Sequence, residues 1–496
     1  MNEKVRGMIV AGVVLAALGG TLGVLHLTGM DKTAGDDSSD ASSVKATTSS
    51  EDLSVKLIDV DVKDIRQIDV TNEFGGFTYT GESESGKDSC GITELEGMTL
   101  DSNKMQDIGE DTANLKAYKP VEEDAEDLSK YGLSEPAAEF HITFADSSER
   151  TFEIGDKAHQ NRYRYVTEKN TGDVYMVQES TIQHFLGRKE DLIDTGLFPS
   201  QDSDENGEFG KLTVKRADLD YDMVFEQDKG DNERSNENMP SAQVMTEPIF
   251  SYLNGSTSSD VIFAMYGLTA MEAELIHPTE EDLKTYGLDE PRTVVTYVGN
   301  GSDWTINIGG EYHDENAEGA EQSAASAYFC TIAGIDGKDA VWKLDATALP
   351  WVTLMPGDII TSLMTYNNIW EVASLKLTGE DNTEFTVEHS EDDVTAAFAD
   401  GKELDLDNFK SFYQYVLTCP TSEIWFEDPK SEPYLTIEIN RTDGGGDKIE
   451  ICKDTDRRDI VKLNGRTSYK IKNSWVKRLL ENVEAVKTGE PVQENY

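Results

Sequence analysis

Seven histidines are the first residues to test for chemistry, and they are scattered: His26, His141, His159, His184, His277, His313 and His389. None belongs to an HExxH pair. The four cysteines, Cys90, Cys330, Cys419 and Cys452, form no CxxC and no Cys/His group of zinc spacing. There is no GxSxG elbow, no P-loop, no GxGxxG opening a helix after a strand, and no SxxK with its partner motifs. Carboxylates number 96, too many for a glycosidase-type pair to stand out. His141 falls in a predicted strand, and a solvent-facing position is one reading of it. These residues name no catalytic group, no metal ligand and no cofactor-binding residue, so the sequence is read as non-enzymatic.

Two weaker patterns remain. Asp202–Gly207, DSDENG, has the form of the first half of a calcium loop, but position twelve is Thr213 where a bidentate Glu is needed. A polar linker explains it more simply. Six tryptophans offer sugar-stacking surfaces if exposed: Trp304, Trp342, Trp351, Trp370, Trp425 and Trp475. Trp304 alternates in phase with Ile306 and Ile308 and is expected in a core. Trp475 opens an amphipathic helix with Val476 and Leu479. Trp351 and Trp370 flank a domain junction and have no assigned role. A Cys419–Cys452 bridge is one reading of the thiols; four small buried hydrophobes is the other.

The elements that would position these residues begin with a membrane segment. Met8–Thr28 contains a single ionisable residue, His26; at ~1.5 Å per residue it spans the ~30 Å hydrocarbon core. Lys4 and Arg6 precede it and Asp31, Asp36 and Asp37 follow, which places the N-terminus inside and the remainder outside. A cleaved signal peptide is the rival reading. From Asp31 to Ser54 the chain is polar, with too little apolar surface to order itself, and reads as a flexible stalk. The formal net charge of −52 disfavours nucleic acid as a partner.

Beyond the stalk one pattern recurs. Glu126–Pro136 is EDLSKYGLSEP and Glu281–Pro291 is EDLKTYGLDEP, identical at eight of eleven positions, with the prolines 155 residues apart. Ser431-Glu432-Pro433 is a weaker third copy. After each proline, apolar residues alternate across a turn, as in a hairpin with one buried face: Phe140, Ile142 and Phe144, then Phe152 and Ile154; Val295 and Tyr297, then Trp304, Ile306 and Ile308; Leu435, Ile437 and Ile439, then Ile449 and Ile451. In the third copy Asn464-Gly465 predicts a two-residue turn. Before each copy a strand pair is expected: Ile68–Val70 with Phe77–Tyr79, Leu212–Val214 with Met223–Phe225, Leu375–Leu377 with Phe385–Val387. A helical stretch follows each pair. The third, Asp407–Leu417, is clear and the first is poorly patterned. Closing helices are expected near a Ser180–Gln183 capping box and N-caps Asp345 and Asn473. In the YGL[SD]EP turn, Gly132 and Gly287 read as left-handed helix stops, Leu133 and Leu288 as their hydrophobic contacts, and the proline as a strand start.

These residues resemble a bacterial domain-of-unknown-function family, number forty-three forty. Glu126–Pro136 fits its turn, Ile154-Gly155-Asp156-Lys157 its hairpin end and Val174-Tyr175-Met176-Val177 its last strand. The second copy keeps Tyr286–Pro291 and Ile308-Gly309-Gly310, loses the Asp-Lys and gains an insertion, Glu315–Ser326. The match is specific over 110–197, fair over 270–350 and architectural beyond 370. The resemblance implies one N-terminal anchor and genes beside ABC transporters; it brings no catalytic residues.

The expected fold is therefore α+β: a cytoplasmic tip (1–7), a transmembrane anchor (8–30), a stalk (31–54), and three related domains of antiparallel sheet with helices on one side (55–200, 208–355 and 366–488). The expected function is that of a membrane-anchored extracytoplasmic accessory or assembly component of a transport or envelope complex, with ABC-transporter or envelope subunits as partners. The alternatives are an envelope enzyme acting on glycan or peptide, marked by converging carboxylates in a pocket, and a wall-polymer or surface-binding module, marked by exposed aromatics.

Overall fold

Alternating burial along the strands fixes the architecture. In Ala138–Phe144 every second residue is buried and the others are half-exposed, so the strand presents one face to a core. A computed structural model describes residues 54–81, 90–158, 162–198, 209–228, 241–299, 303–314, 324–390, 393–421 and 423–495. The expected tip, anchor and all but the last residue of the stalk lie outside the described residues. So do Asp202–Gly207, His26, His159 and most of the Glu315–Ser326 insertion. Among the described residues no helix is long and apolar enough to cross a membrane.

The described strands form three sheets. The first contains β1 (Val55–Lys56), β2 (Ile65–Asn72), β3 (Phe77–Thr80), β4 (Gly91–Ile92), β5 (Lys116–Glu122), β6 (Ala138–Phe144), β7 (Glu149–Lys157), β8 (Tyr163–Glu168) and β9 (Val174–Gln178), in the order β1-β5-β9-β8-β7-β6-β2-β3-β4. The second contains β10 (Lys211–Arg216), β11 (Asp222–Gln227), β12 (Gln243–Glu247), β13 (Ser251–Tyr252), β14 (Glu272–Ile276), β15 (Thr293–Val298), β16 (Trp304–Tyr312), β17 (Ala327–Ala333) and β18 (Ala340–Asp345), in the order β13-β12-β11-β10-β15-β16-β17-β18-β14. The third contains β19 (Val372–Thr378), β20 (Thr383–His389), β21 (Val394–Ala399), β22 (Lys402–Glu403), β23 (Pro433–Arg441), β24 (Gly446–Lys453), β25 (Arg458–Leu463) and β26 (Arg466–Lys472), in the order β22-β21-β20-β19-β23-β24-β25-β26. Every pairing is antiparallel.

The three orders share one plan. The first strand of each leading pair joins the first strand of the four that follow: β2 with β6, β10 with β15, β19 with β23. The expected hairpin partners meet, as in Ile68 opposite Tyr79, Leu212 opposite Phe225 and Leu375 opposite Phe385. Asn464 and Gly465 both have positive φ, as the two-residue turn requires.

The structure adds strands the spacing does not reveal. β5 joins β9 and β14 joins β18, each supplied by the segment just before the repeated turn. In the third copy a bare stretch does the same work: Ile424 bridges Tyr469, the Trp425 N–H donates to Ser468 and the Lys470 N–H to Glu423.

Among the described residues the five longest helices are α1 (Ser102–Ala113), α2 (Gly255–Ile262), α3 (Glu280–Thr285), α4 (Leu406–Leu417) and α5 (Asn473–Thr488). α1 is well formed although its pattern is obscure. Asp101 caps it, and it buries Met105, Ile108, Gly109 and Thr112. Thr112 reads as polar, yet its hydroxyl donates to the Ile108 carbonyl at 2.7 Å and its methyl side is free to pack. Phe385 of the third sheet meets Phe409 and Phe412 of α4, and Tyr415 stacks on Trp475 of α5. Each such ring is worth about 1.5–3 kcal/mol when buried.

Two caps differ from expectation. The chain leaves β9 directly into a short helix, Glu179–Ile182, so Ser180 lies inside it and forms no capping box; Gln178 occupies the cap without a side-chain bond. Asn473 is likewise the first residue of α5, after an uncapped Lys472. Asp345 does cap its turn, accepting from the Thr347 N–H at 2.8 Å.

The sheets are joined through buried and half-buried polar contacts. Between the first and second, Arg188 donates to Glu272 and to the Ala273 carbonyl, and Lys338 to the Asp194 carbonyl. Between the second and third, the Tyr469 hydroxyl donates to Ser251 Oγ and the Phe250 N–H to Ser468 Oγ.

Candidate functional site

The repeated turn is the first candidate, because eight shared residues invite a functional reading. Its glycines have φ +69° (Gly132) and +65° (Gly287). The Leu133 N–H returns to the Leu128 carbonyl and the Leu288 N–H to Leu283, closing a Schellman-type stop in each copy. Leu133 and Leu288 are buried, whereas Ser134, Glu135, Asp289 and Glu290 are exposed. The prolines stand two residues ahead of β6 and β15, and Pro433 is the first residue of β23.

The tyrosine, which the sequence leaves unexplained, also has a structural task. Tyr131 lies 4.8 Å from Tyr165 at 57°, and Tyr286 lies 4.8 Å from Phe329 at 59°. The Tyr131 hydroxyl donates to Glu122 of β5 at 2.5 Å, and Glu274 of β14 lies near Tyr286. The glycine of the hairpin-end motif completes the fit. A Cβ on Gly155 would stand 2.2 Å from the Tyr131 carbonyl oxygen, and one on Gly309 2.7 Å from that of Tyr286. The Gly310 N–H donates to the Tyr286 carbonyl at 2.7 Å. The two motifs are therefore two sides of one contact between the turn and a bulged hairpin strand.

Similar sequence gives different helices here. In the second copy Thr279 and Asp282 form a capping box that starts α3. In the first copy the chain turns through Asp124 at φ +51°, and Asp127 caps only a 3-10 turn, Leu128–Tyr131.

The remaining candidates separate. Among the described residues no group of three or more His, Cys, Asp or Glu is placed to hold a metal ion. His141 is half-buried, with Nδ1 2.8 Å from Thr151 Oγ1. His184 is mostly buried, packs edge-on against Phe185 and lies 4.0 Å from Asp111. Burial pushes its pKa down to about 4, so at neutral pH the contact is not an ion pair. Burial, with Asp107 and Glu110 nearby, raises Asp111 to about 6. All four thiols are free, so Cys419 and Cys452 are not bridged; both are buried, as is Cys330, and Cys90 is half-buried.

The tryptophans differ in exposure, and Trp425 is half-buried beneath the Lys470 ammonium, 3.3 Å from its ring centroid. Trp304, Trp342, Trp351 and Trp475 are buried, and Trp351 Nε1 donates to the Val261 carbonyl at 2.9 Å. Trp370 is 49% exposed. It borders a cleft of about 300 Å³ between α4 and the segment 363–370 that joins the second and third sheets. Sequence reasoning singled out this residue without finding the cleft, because its other wall comes from Lys410, Tyr413 and Gln414, some forty residues on.

The sheets define an α+β protein. Residues 91–267 match the family described as "Domain of unknown function (DUF4340)". The match runs from β4 past α2 and includes the first repeated turn; the second, 281–291, lies beyond it. No curated protein matches the chain.

Proposed function

We propose that the chain is a non-enzymatic, membrane-anchored extracytoplasmic protein, an accessory or assembly component of a transport or envelope complex. The observation that supports this is the use made of the shared motif. Tyr131, Gly132, Leu133 and Gly155, and their counterparts Tyr286, Gly287, Leu288 and Gly309, hold a turn against a hairpin. What recurs is a way of building sheets. Three sheets linked by buried and half-buried polar contacts suit a protein that presents surfaces to neighbours. Lys4 and Arg6 before the apolar run Met8–Thr28 support the anchored topology.

Protease added to intact spheroplasts should remove residues 55–496 while a cytoplasmic control survives. Capture of the full chain from detergent extracts should bring down envelope or transporter subunits. Protection of the domains alongside the control would sink the topology, and a chain recovered alone would sink the assembly role.

A further inference from the structure

The cleft beside Trp370 has a composition unlike the rest of the molecule. Of 496 residues 96 are acidic, yet none of the eleven lining residues is Asp or Glu. Its one cation, Lys410, is held at the rim by Asp393 at 3.2 Å. The wall therefore offers no carboxylate to a cationic ligand and no unpaired cation to a phosphate. Its volume of about 300 Å³ is at the small end of ligand sites.

What the wall does offer is one exposed indole and several hydrogen-bonding groups. Asn367, 1% exposed, is fixed from two sides: Nδ2 donates to Asp447 at 2.7 Å, and the Tyr413 hydroxyl donates to its backbone carbonyl at 2.5 Å. Because a carboxylate only accepts, the amide orientation is set, and Oδ1 is left with no protein partner. Thr365 Oγ1, on the same wall and equally buried, also has none. Gln414 adds an exposed amide on α4.

From this we infer that the cleft binds a neutral sugar ring of a glycan. A pyranose has an apolar C–H face to lie on the exposed Trp370 indole and hydroxyl groups to bond with the exposed Gln414 amide. A proline-rich peptide would want several exposed aromatics side by side, and a nucleotide would want an unpaired cation. The inference requires neither the membrane anchor nor a transporter partner, so it stands or falls separately from the proposal above.

The test is titration of the full chain, kept in a non-glycosidic detergent, with chitotriose, cellotriose and maltotriose, and in parallel with adenosine monophosphate and a proline decapeptide. Trp370 is the most exposed indole described, so its emission should shift to the blue or be quenched on binding. At least one trisaccharide should give a saturable change. Trp370→Ala should weaken that binding by about tenfold or more, as for loss of an aromatic anchor. Trp370→Phe should retain part of it, and Gln414→Ala should weaken it severalfold without altering the melting temperature. If no sugar binds, if Trp370→Ala binds as well as the parent, or if only the nucleotide or the peptide produces the change, the inference is wrong.

Discussion

The Tyr252 hydroxyl, at the end of the second sheet, donates to the Asp447 carboxylate of the third at 2.8 Å. Asp447 is 4% exposed and also accepts from Asn367 Nδ2 at 2.7 Å and Asn464 Nδ2 at 2.9 Å. One buried carboxylate thus gathers the second sheet, the connecting segment and the turn before β26. Tyr252→Phe removes a single donor to a charged acceptor and should cost about 1.5–3 kcal/mol. Urea unfolding measures it; an unchanged midpoint would show that the contact does not contribute to joining the sheets.

The two glycine stops should differ in cost. Both need the left-handed region, so Ala at either position loses roughly 1 kcal/mol in backbone strain. At Gly132 a Cβ would also stand 2.5 Å from Cγ of Asp156, whereas at Gly287 the nearest atom is the Gly310 nitrogen at 3.2 Å. Gly132→Ala should therefore destabilise more than Gly287→Ala. Asp156→Gly, which copies the second repeat, should narrow the gap. Equal melting temperatures for the two alanine variants would contradict this.

Acid stability should depend on His184 and Asp111 with opposite signs. His184 is depressed in the folded state to about 4, so its contribution is complete above its unfolded pKa near 6.5 and is lost as pH falls toward 4. Asp111 is raised to about 6, so the folded state takes up a proton first and gains stability as pH falls from about 6 toward 4. The wild-type chain partly cancels the two. Asp111→Asn should be more stable at pH 7 and should lose stability more steeply between pH 6 and 4. Parallel pH profiles of the urea midpoint would refute the assignment.

Thiol chemistry tests the cysteines directly. A colorimetric thiol reagent should titrate at most Cys90 in the folded chain and all four after denaturation without reductant. A denatured count of two would show that Cys419 and Cys452 are bridged after all.

Alternation and turn residues made much of the fold legible. Phe140, Ile142 and Phe144, or Leu435, Ile437 and Ile439, can bury one face only as strands, and Asn464-Gly465 can close only a tight turn. The left-handed stops at Gly132 and Gly287 were readable because few other residues tolerate that backbone. α1 was hidden because the buried Thr112 breaks an apolar count. Ser180 misled because a cap depends on where the chain leaves the preceding strand, and that is a tertiary matter.

By itself, then, the sequence determined the local elements, their threefold recurrence and the structural meaning of the repeated glycines, since each follows from the periodicity and backbone freedom of nearby residues. It did not determine why Tyr131 and Gly155 belong together, how Glu423–Trp425 replaces β5 in the third sheet, or that Trp370 faces Gln414 and an unpartnered Asn367. Those relations join residues far apart in the chain. Only the folding of the sheets against one another brings such residues within hydrogen-bonding or ring-stacking distance.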